Sequence, residues 1–116
     1  MQFLTMIHAR EDQTPPTPEM YEAMGELIEK FAAEGVFLSG GGLLPSSEGA
    51  TIAVRGGEVI VSDGPYAEAT EVVGGWAVIE ADSLQHVVDL SRQTLDLHLK
   101  YMPGWEGYSE IRQIAG

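Results

Sequence analysis

The chain has 116 residues, no cysteine, and a formal net charge of −12 from eighteen acidic and six basic residues. This length fits one domain with a single core, and the lack of cysteine excludes disulfides, thiolate metal sites and a cysteine nucleophile. The negative charge disfavours direct binding to nucleic acid or to an anionic membrane, and no apolar run approaches the roughly 20 residues of a membrane span. We therefore expect a cytoplasmic domain covering residues 1–116, without a metal or cofactor.

The first half of the sequence predicts a strand, a helix and a second strand. Residues 3–8 are apolar on both faces, which is typical of a strand that is covered on both sides. Thr17 followed by Pro18 is a common helix start, and Gly35 suits the left-handed position after a helix, so we predict a helix over 18–34. Its apolar residues recur at helical spacing: Met20, Met24, Leu27, Ile28 and Phe31. A second strand begins at residue 36 and runs into three glycines at 40–42.

Two apolar segments in the middle of the chain predict a β-hairpin. Residues 51–55 and 58–62 flank two glycines, which tolerate the positive φ angles of a tight primed turn. The resulting register places Val54 opposite Val59 and Ile52 opposite Val61. Residues 75–80 predict a further strand.

The last third of the chain predicts a helix and a final strand at 108–114. Asp82 or Ser83 caps the helix, which ends before Pro103. Its predicted apolar stripe comprises Leu84, Val87, Val88, Ser91 and Leu95. The order of elements predicts an α+β fold, a ferredoxin-like split βαβ unit with an extra β-hairpin. Two helices on one face leave the other face of the sheet bare, so we expect a homodimer.

Acidic residues gather after the hairpin. The run Asp63-Gly64-Pro65 predicts a sharp turn, which brings Asp63, Glu68 and Glu71 close to one strand end beside Tyr66. A desolvated carboxylate there would act as an acid or base. The alternative is a well-capped turn with exposed acids.

Two histidines are candidates for function. His8 lies where the first strand meets its loop, and an imidazole there near Asp63 would act as a base. The alternative for His8 is a hydrogen-bonded, purely structural side chain. His98 lies near the end of the second helix, where capping by a cation is the alternative. No histidine pair has the i,i+4 spacing of a metal site.

The acidic turn also resembles a known family. Asp63-Gly64-Pro65-Tyr66-Ala67-Glu68, with Glu71 and Gly74-Gly75 after it, is similar to the motif of the YCII-related, or DGPF-domain, proteins, with Tyr66 in place of phenylalanine. The opening strand and the segments 42–47, 103–107 and 110–113 also agree, so the resemblance covers nearly the whole chain. It implies a dimeric α/β barrel of ferredoxin-like halves and a family mostly of unknown function. Some relatives are linked to extracytoplasmic-function sigma factors, and others are described as enzymes because a histidine and an aspartate meet in a cleft.

Two functions remain open from the sequence. The first is a small-molecule-binding protein or enzyme with Asp63 and His8 in acid–base roles and with Tyr66, Glu68 and His98 contacting the ligand. The second is a non-catalytic protein-interaction or regulatory module. An oxygenase-like activity is a third possibility that depends on fold analogy alone.

Overall fold

The computed structural model describes residues 1–64 and 71–116, which contain six strands and two long helices. The strands are β1 (Gln2–Ala9), β2 (Phe37–Gly42), β3 (Ala50–Arg55), β4 (Glu58–Asp63), β5 (Val72–Glu80) and β6 (Gly107–Gln113). The helices are α1 (Pro18–Ala33) and α2 (Leu84–Tyr101), and a short 3₁₀ turn covers Ser46–Glu48. The predicted order of elements is confirmed, with small differences at their ends.

Four of the strands form one antiparallel sheet in the order β2-β5-β1-β6. The remaining two, β3 and β4, pair only with each other in the part of the chain that the structure describes. The fold is therefore mixed α+β, and its strand order is compatible with a ferredoxin-like βαββαβ unit into which a hairpin is inserted between β2 and β5.

Local signals set the helix ends. The Thr17 hydroxyl accepts a hydrogen bond from the Met20 backbone N–H at 3.3 Å, and the Ser83 hydroxyl accepts one from His86 N–H at 3.1 Å. Each bond satisfies an N–H group that has no partner within its helix. Gly35 has φ = +76°, the left-handed conformation predicted after α1. Of the two predicted caps of α2, the structure selects Ser83.

The core lies between the sheet and the two helices. Phe3 on β1 pairs with Ile79 on β5, and both pack with Phe31 of α1 and with Val87 and Leu90 of α2. Alternation along β1 places Phe3, Thr5 and Ile7 on this helix-covered face. It places Leu4, Met6 and His8 on the opposite face, which we call the open face.

The predicted stripe of α2 was wrong at two positions. Leu84 and Val88 are exposed, whereas the buried residues of α2 are Val87, Leu90 and His98. Apolar residues spread over a wide arc of this helix, so hydrophobicity alone allowed two adjacent stripes. Contact with Phe3 and Phe31 selects the one that ends at His98.

The hairpin of β3 and β4 has the predicted register, with Ile52 opposite Val61 and Val54 opposite Val59. Its turn uses positive φ at both glycines, +58° at Gly56 and +79° at Gly57. The four apolar side chains are between 64% and 76% exposed. The radius of gyration, 15.8 Å, exceeds the ~13 Å typical of a compact chain of this length, which agrees with a projecting hairpin. We call residues 50–63 the hairpin arm.

Neither helix in the described ranges is long and apolar enough to cross a bilayer.

The buried stripe of α2 generates a test of the packing. Val87 is completely buried, whereas Val88, the next residue of the same helix, is 38% exposed. We expect Val87→Ala to lower the free energy of unfolding by about 2 kcal/mol, because it removes buried apolar surface and leaves a cavity. The matched change Val88→Ala should cost about 0.5 kcal/mol or less. Urea unfolding of both variants measures the difference, and equal losses would contradict this orientation of α2.

Candidate functional site

A cavity of about 690 Å³ lies between the helix-covered face of the sheet and the two helices. It sits at the end of the sheet where β1 and β2 finish and α1 begins. Its lining is mainly apolar and includes Ile7, Met20, Tyr21, Met24, Leu27, Phe31, Ala77 and Trp105. This volume is within the range of sites that hold small molecules, which are mostly apolar with a few polar groups that orient the ligand.

His98 supplies the most buried ionisable group of this cavity. It is 8% exposed, and its Nδ1 donates a hydrogen bond to the Thr94 carbonyl oxygen at 2.9 Å. Since a neutral imidazole carries one hydrogen, this bond makes Nε2 an acceptor. Within residues 1–64 and 71–116, Nε2 has no hydrogen-bond partner, and every fully buried side-chain nitrogen or oxygen has one. Nε2 therefore keeps access to open space. His98 lines the cavity, and it also lines a second pocket with Arg10 and Glu71.

The indole of Trp105 packs against His98. The two ring centroids are 4.3 Å apart, and the ring planes are inclined by 39°. Gly104 adopts φ = +83° just before the tryptophan. A Cβ at Gly107 would lie 2.5 Å from the indole Cη2 and 2.6 Å from the His8 carbonyl oxygen. Both glycines are therefore needed to bring Trp105 onto the imidazole.

Glu11 and Ser46 form a polar contact at the rim of the cavity, which Glu11 lines. The Ser46 backbone N–H donates to Glu11 Oε2 at 2.8 Å, and the Ser46 hydroxyl donates to Glu11 Oε1. These hydrogen bonds hold the pKa of Glu11 below its ordinary value, because they stabilise the carboxylate. The sequence did not reveal this pair, since its members lie 35 positions apart.

The start of the acidic motif packs beside this contact. Gly64 N–H donates to the Gly49 carbonyl at 2.8 Å, and a Cβ at Gly64 would lie 1.7 Å from the Ser46 carbonyl oxygen. Only glycine permits this approach of two backbones. Asp63 is consequently held at the end of the hairpin arm, next to the segment that bonds Glu11.

His8 lies on the open face in a separate polar cluster. Its Nε2 is 2.9 Å from Glu110 Oε1, and its ring stacks on that of Tyr108 with centroids 4.7 Å apart. Burial raises the pKa of Tyr108, and the carboxylates of Glu71 and Glu110 raise it further. The phenol therefore stays protonated at neutral pH. Glu110 was not predicted as a partner of His8, because only the sheet register brings β1 and β6 together.

Comparison with known families and proteins agrees with the motifs. A model of the YCII-related domain matches residues 1–94. The chain belongs to the YCII-related domain family. It is also similar to an uncharacterised protein, R00369, of Rhizobium meliloti (strain 1021), with 40% identity over 73 residues. The match covers 63% of this chain and 55% of that protein, so it spans about half the length of this relative.

The predicted family is thus confirmed, whereas the predicted site residues of this YCII-related protein fall into separate places. His98 lies in the cavity, and His8 lies on the open face beside Glu110. Asp63 is exposed, and no hydrogen bond or ion pair joins it to a histidine within the described ranges. Tyr66 and Glu68 lie outside the residues that the structure describes. The catalytic and ligand-binding roles of these residues stay predictions.

No group of three or more histidine, aspartate or glutamate side chains in the described part of the chain is arranged to hold a metal ion. Arg10, at the cavity rim, bonds Asp12 through two hydrogen bonds of 2.9 and 2.7 Å.

The Glu11–Ser46 contact generates a pH-dependent prediction. Because the pKa of Glu11 is lowered in the folded state, its contribution to stability is present above the unfolded pKa and is lost as pH falls through the folded one. We expect Ser46→Ala to lower stability at neutral pH and to have a smaller effect at an acidic pH below the folded-state pKa of Glu11, where the carboxyl group is protonated. Urea unfolding at the two pH values measures this change.

The neighbouring exposed serine provides the control for this experiment. Ser47→Ala should leave the stability nearly unchanged at both pH values. A loss in Ser46→Ala that is equally large in acid would show that the serine acts only through packing and not through the charge of Glu11.

Proposed function

We propose that this YCII-related protein binds a small, mainly apolar molecule in the cavity between its sheet and helices. The observation that carries the proposal is the buried imidazole of His98 in the wall of a mainly apolar cavity. Its Nδ1 is bonded to Thr94, and its Nε2 has no hydrogen-bond partner among the described residues. Apolar walls drive binding by removing ligand surface from water, and a fixed polar group orients the ligand. Both components are present here.

An enzymatic form of the proposal assigns Asp63 an acid–base role, as predicted from the motif. This role is supported by a chain of contacts. Asp63 precedes Gly64, and Gly64 packs on Ser46. The Ser46 hydroxyl donates to Glu11 at the cavity rim. Tyr66 and Glu68, which follow Asp63 in the chain, are proposed as ligand contacts on the basis of the sequence. His8 would act on the open face, together with Glu110 and Tyr108.

A thermal-shift screen against a metabolite panel tests the proposed binding. A ligand at 100 times its dissociation constant adds about 2.7 kcal/mol of stability, which raises Tm by several degrees. We expect Met24→Trp to abolish the shift, because the larger ring fills the cavity that Met24 lines. Glu26→Trp, on the exposed side of the same helix, is the matched control and should keep it. A ligand that shifts both variants equally would bind elsewhere.

The same screen separates the enzymatic form from simple binding. Asp63→Asn should fold normally, because the side chain is exposed, and it should lose the ligand response if Asp63 contacts the ligand. An unchanged ligand response would remove Asp63 from the ligand contacts. If the identified ligand is also turned over by Asp63→Asn, Asp63 has no part in the proposed mechanism. A variant that unfolds would instead assign Asp63 a structural role in the turn.

We also propose that two copies of the chain associate through the open face. The centre of this face is apolar, since Leu4 pairs with Val78 and Met6 pairs with Trp76, and it carries neither helix. Arg112 and Glu110 lie beside them on β6, which gives the face a charged margin. An apolar centre with a polar margin is typical of protein interfaces. This association is the homodimer expected from the sequence, and the barrel geometry that the family resemblance implies belongs to the same proposal.

Light scattering tests the association. We expect the protein to have the mass of a dimer at micromolar concentration, and Met6→Glu to convert it to a monomer because the charge would be buried without a partner. Leu99→Glu, an equivalent change at an exposed position of α2, should leave the dimer intact. A monomeric wild type, or a dimer lost only in Leu99→Glu, would contradict association through the open face.

One observation favours the second candidate function, a protein-interaction or regulatory module. The hairpin arm exposes a continuous apolar stripe of Ile52, Val54, Val59 and Val61. An isolated two-stranded hairpin is only marginally stable in water, so such a stripe is suited to being covered by a partner. A metabolite screen without any response would move the preference to this function.

A further inference from the structure

We infer that the cavity selects neutral ligands with a hydroxyl group on a flat apolar framework, such as a phenol or an enol, and that this hydroxyl donates to His98 Nε2. The inference depends on the proposed small-molecule binding, and it specifies the class of molecule that binds.

The first argument is the fixed polarity of His98. Because Nδ1 donates to the Thr94 carbonyl, Nε2 of the neutral ring presents a lone pair. A ketone or an ether, which can only accept hydrogen bonds, would bring a second lone pair against it. A hydrocarbon would remove water from Nε2 and leave it without a partner, which is unfavourable for a buried polar atom. A hydroxyl group supplies the donor that this atom lacks.

The second argument is charge. Arg10 is the only lysine or arginine among the described residues that line this cavity, and Asp12 already binds it through two hydrogen bonds. Glu11 adds a carboxylate at the rim, and the whole chain has a net charge of −12. A carboxylate or phosphate ligand would therefore meet repulsion without a free cation. A cationic ligand would have to lose its water in a mainly apolar space.

The third argument is the shape and chemistry of the cavity walls. Trp105 covers the imidazole at 4.3 Å, and Tyr21 and Phe31 line the same cavity. Met20 and Met24 line it as well. Aromatic rings and methionine sulfur both pack favourably against flat rings. The combination favours a planar framework over a flexible chain.

His98 and Trp105 both lie beyond residue 94, where the match to the family model ends. The hydrogen-bond acceptor and the ring that covers it therefore lie in the last part of this chain, outside the matched residues.

Three probes of similar shape test the inference: 2-naphthol, naphthalene and 2-naphthoate. We expect 2-naphthol to bind the full-length protein about tenfold more tightly than naphthalene, the ratio for one hydrogen bond of typical net strength. The carboxylate should bind more weakly than either. Dissociation constants come from titrations followed by protein NMR, and binding that is lost in Met24→Trp locates the probes in the cavity.

A histidine variant and a matched control identify the acceptor. His98→Phe should reduce the preference for 2-naphthol over naphthalene to about one, because the lone pair is gone. His86→Phe, on the same helix but outside the cavity lining, should keep the tenfold preference. Since His98 is buried and its replacement can unfold the protein, ¹⁵N NMR of the wild-type imidazole provides a second measurement. The Nε2 resonance should shift with 2-naphthol and not with naphthalene.

The outcomes separate the two proposals. Equal binding of 2-naphthol and naphthalene, lost in Met24→Trp, would overturn the selectivity while supporting the cavity as a binding site. Tightest binding of 2-naphthoate would also overturn it, as would an unchanged Nε2 resonance with 2-naphthol bound. Failure of all three probes to bind would overturn the selectivity, and a metabolite screen that is also flat would overturn the proposed function.

Discussion

The alternation of side chains along β1 is the constraint on which the rest of this structure depends. This strand lies in the interior of the sheet, between β5 and β6, so both of its edges are hydrogen-bonded and its register is fixed on each side. Phe3 points to the helices and anchors the core, and Ile7, on the same side, lines the cavity. His8, one position further, points to the open face. A shift of one residue in this strand would exchange these roles completely.

This separation divides the chemistry of the molecule between two faces. On the helix-covered face, His98 is oriented by the Thr94 carbonyl and packs against Trp105, and its Nε2 has no hydrogen-bond partner among the described residues. On the open face, His8 pairs with Glu110 at 2.9 Å and stacks on the ring of Tyr108. The first arrangement suits the proposed ligand, whereas the second suits the edge of the proposed dimer contact.

Two glycines explain in part how residues of the sequence motifs are positioned in this structure. Gly64 follows Asp63 at the end of the hairpin arm and lies against the Ser46 carbonyl, and Gly107 gives space to the indole of Trp105. In both places a Cβ atom would collide with its neighbours, so these glycines act through the absence of a side chain. The motif residues near them are therefore positioned by backbone packing, which gives part of the family motif a structural explanation that is independent of catalysis.

The sequence by itself determined the elements, their order, the cap of α1, the hairpin register and the family. These features depend on local signals: periodicity, the side chain of Thr17, and the turn-forming Gly56-Gly57. The structure chose Ser83 over Asp82 as the cap of α2. The structure decided which apolar arc of α2 is buried, because packing against Phe3 and Phe31 chooses between arcs of similar hydrophobicity. It also decided the partners of Glu11, His8 and His98. The first two are paired with residues 35 and 102 positions away, a proximity that arises only when the chain folds, and the burial of His98 follows from the same choice of arc.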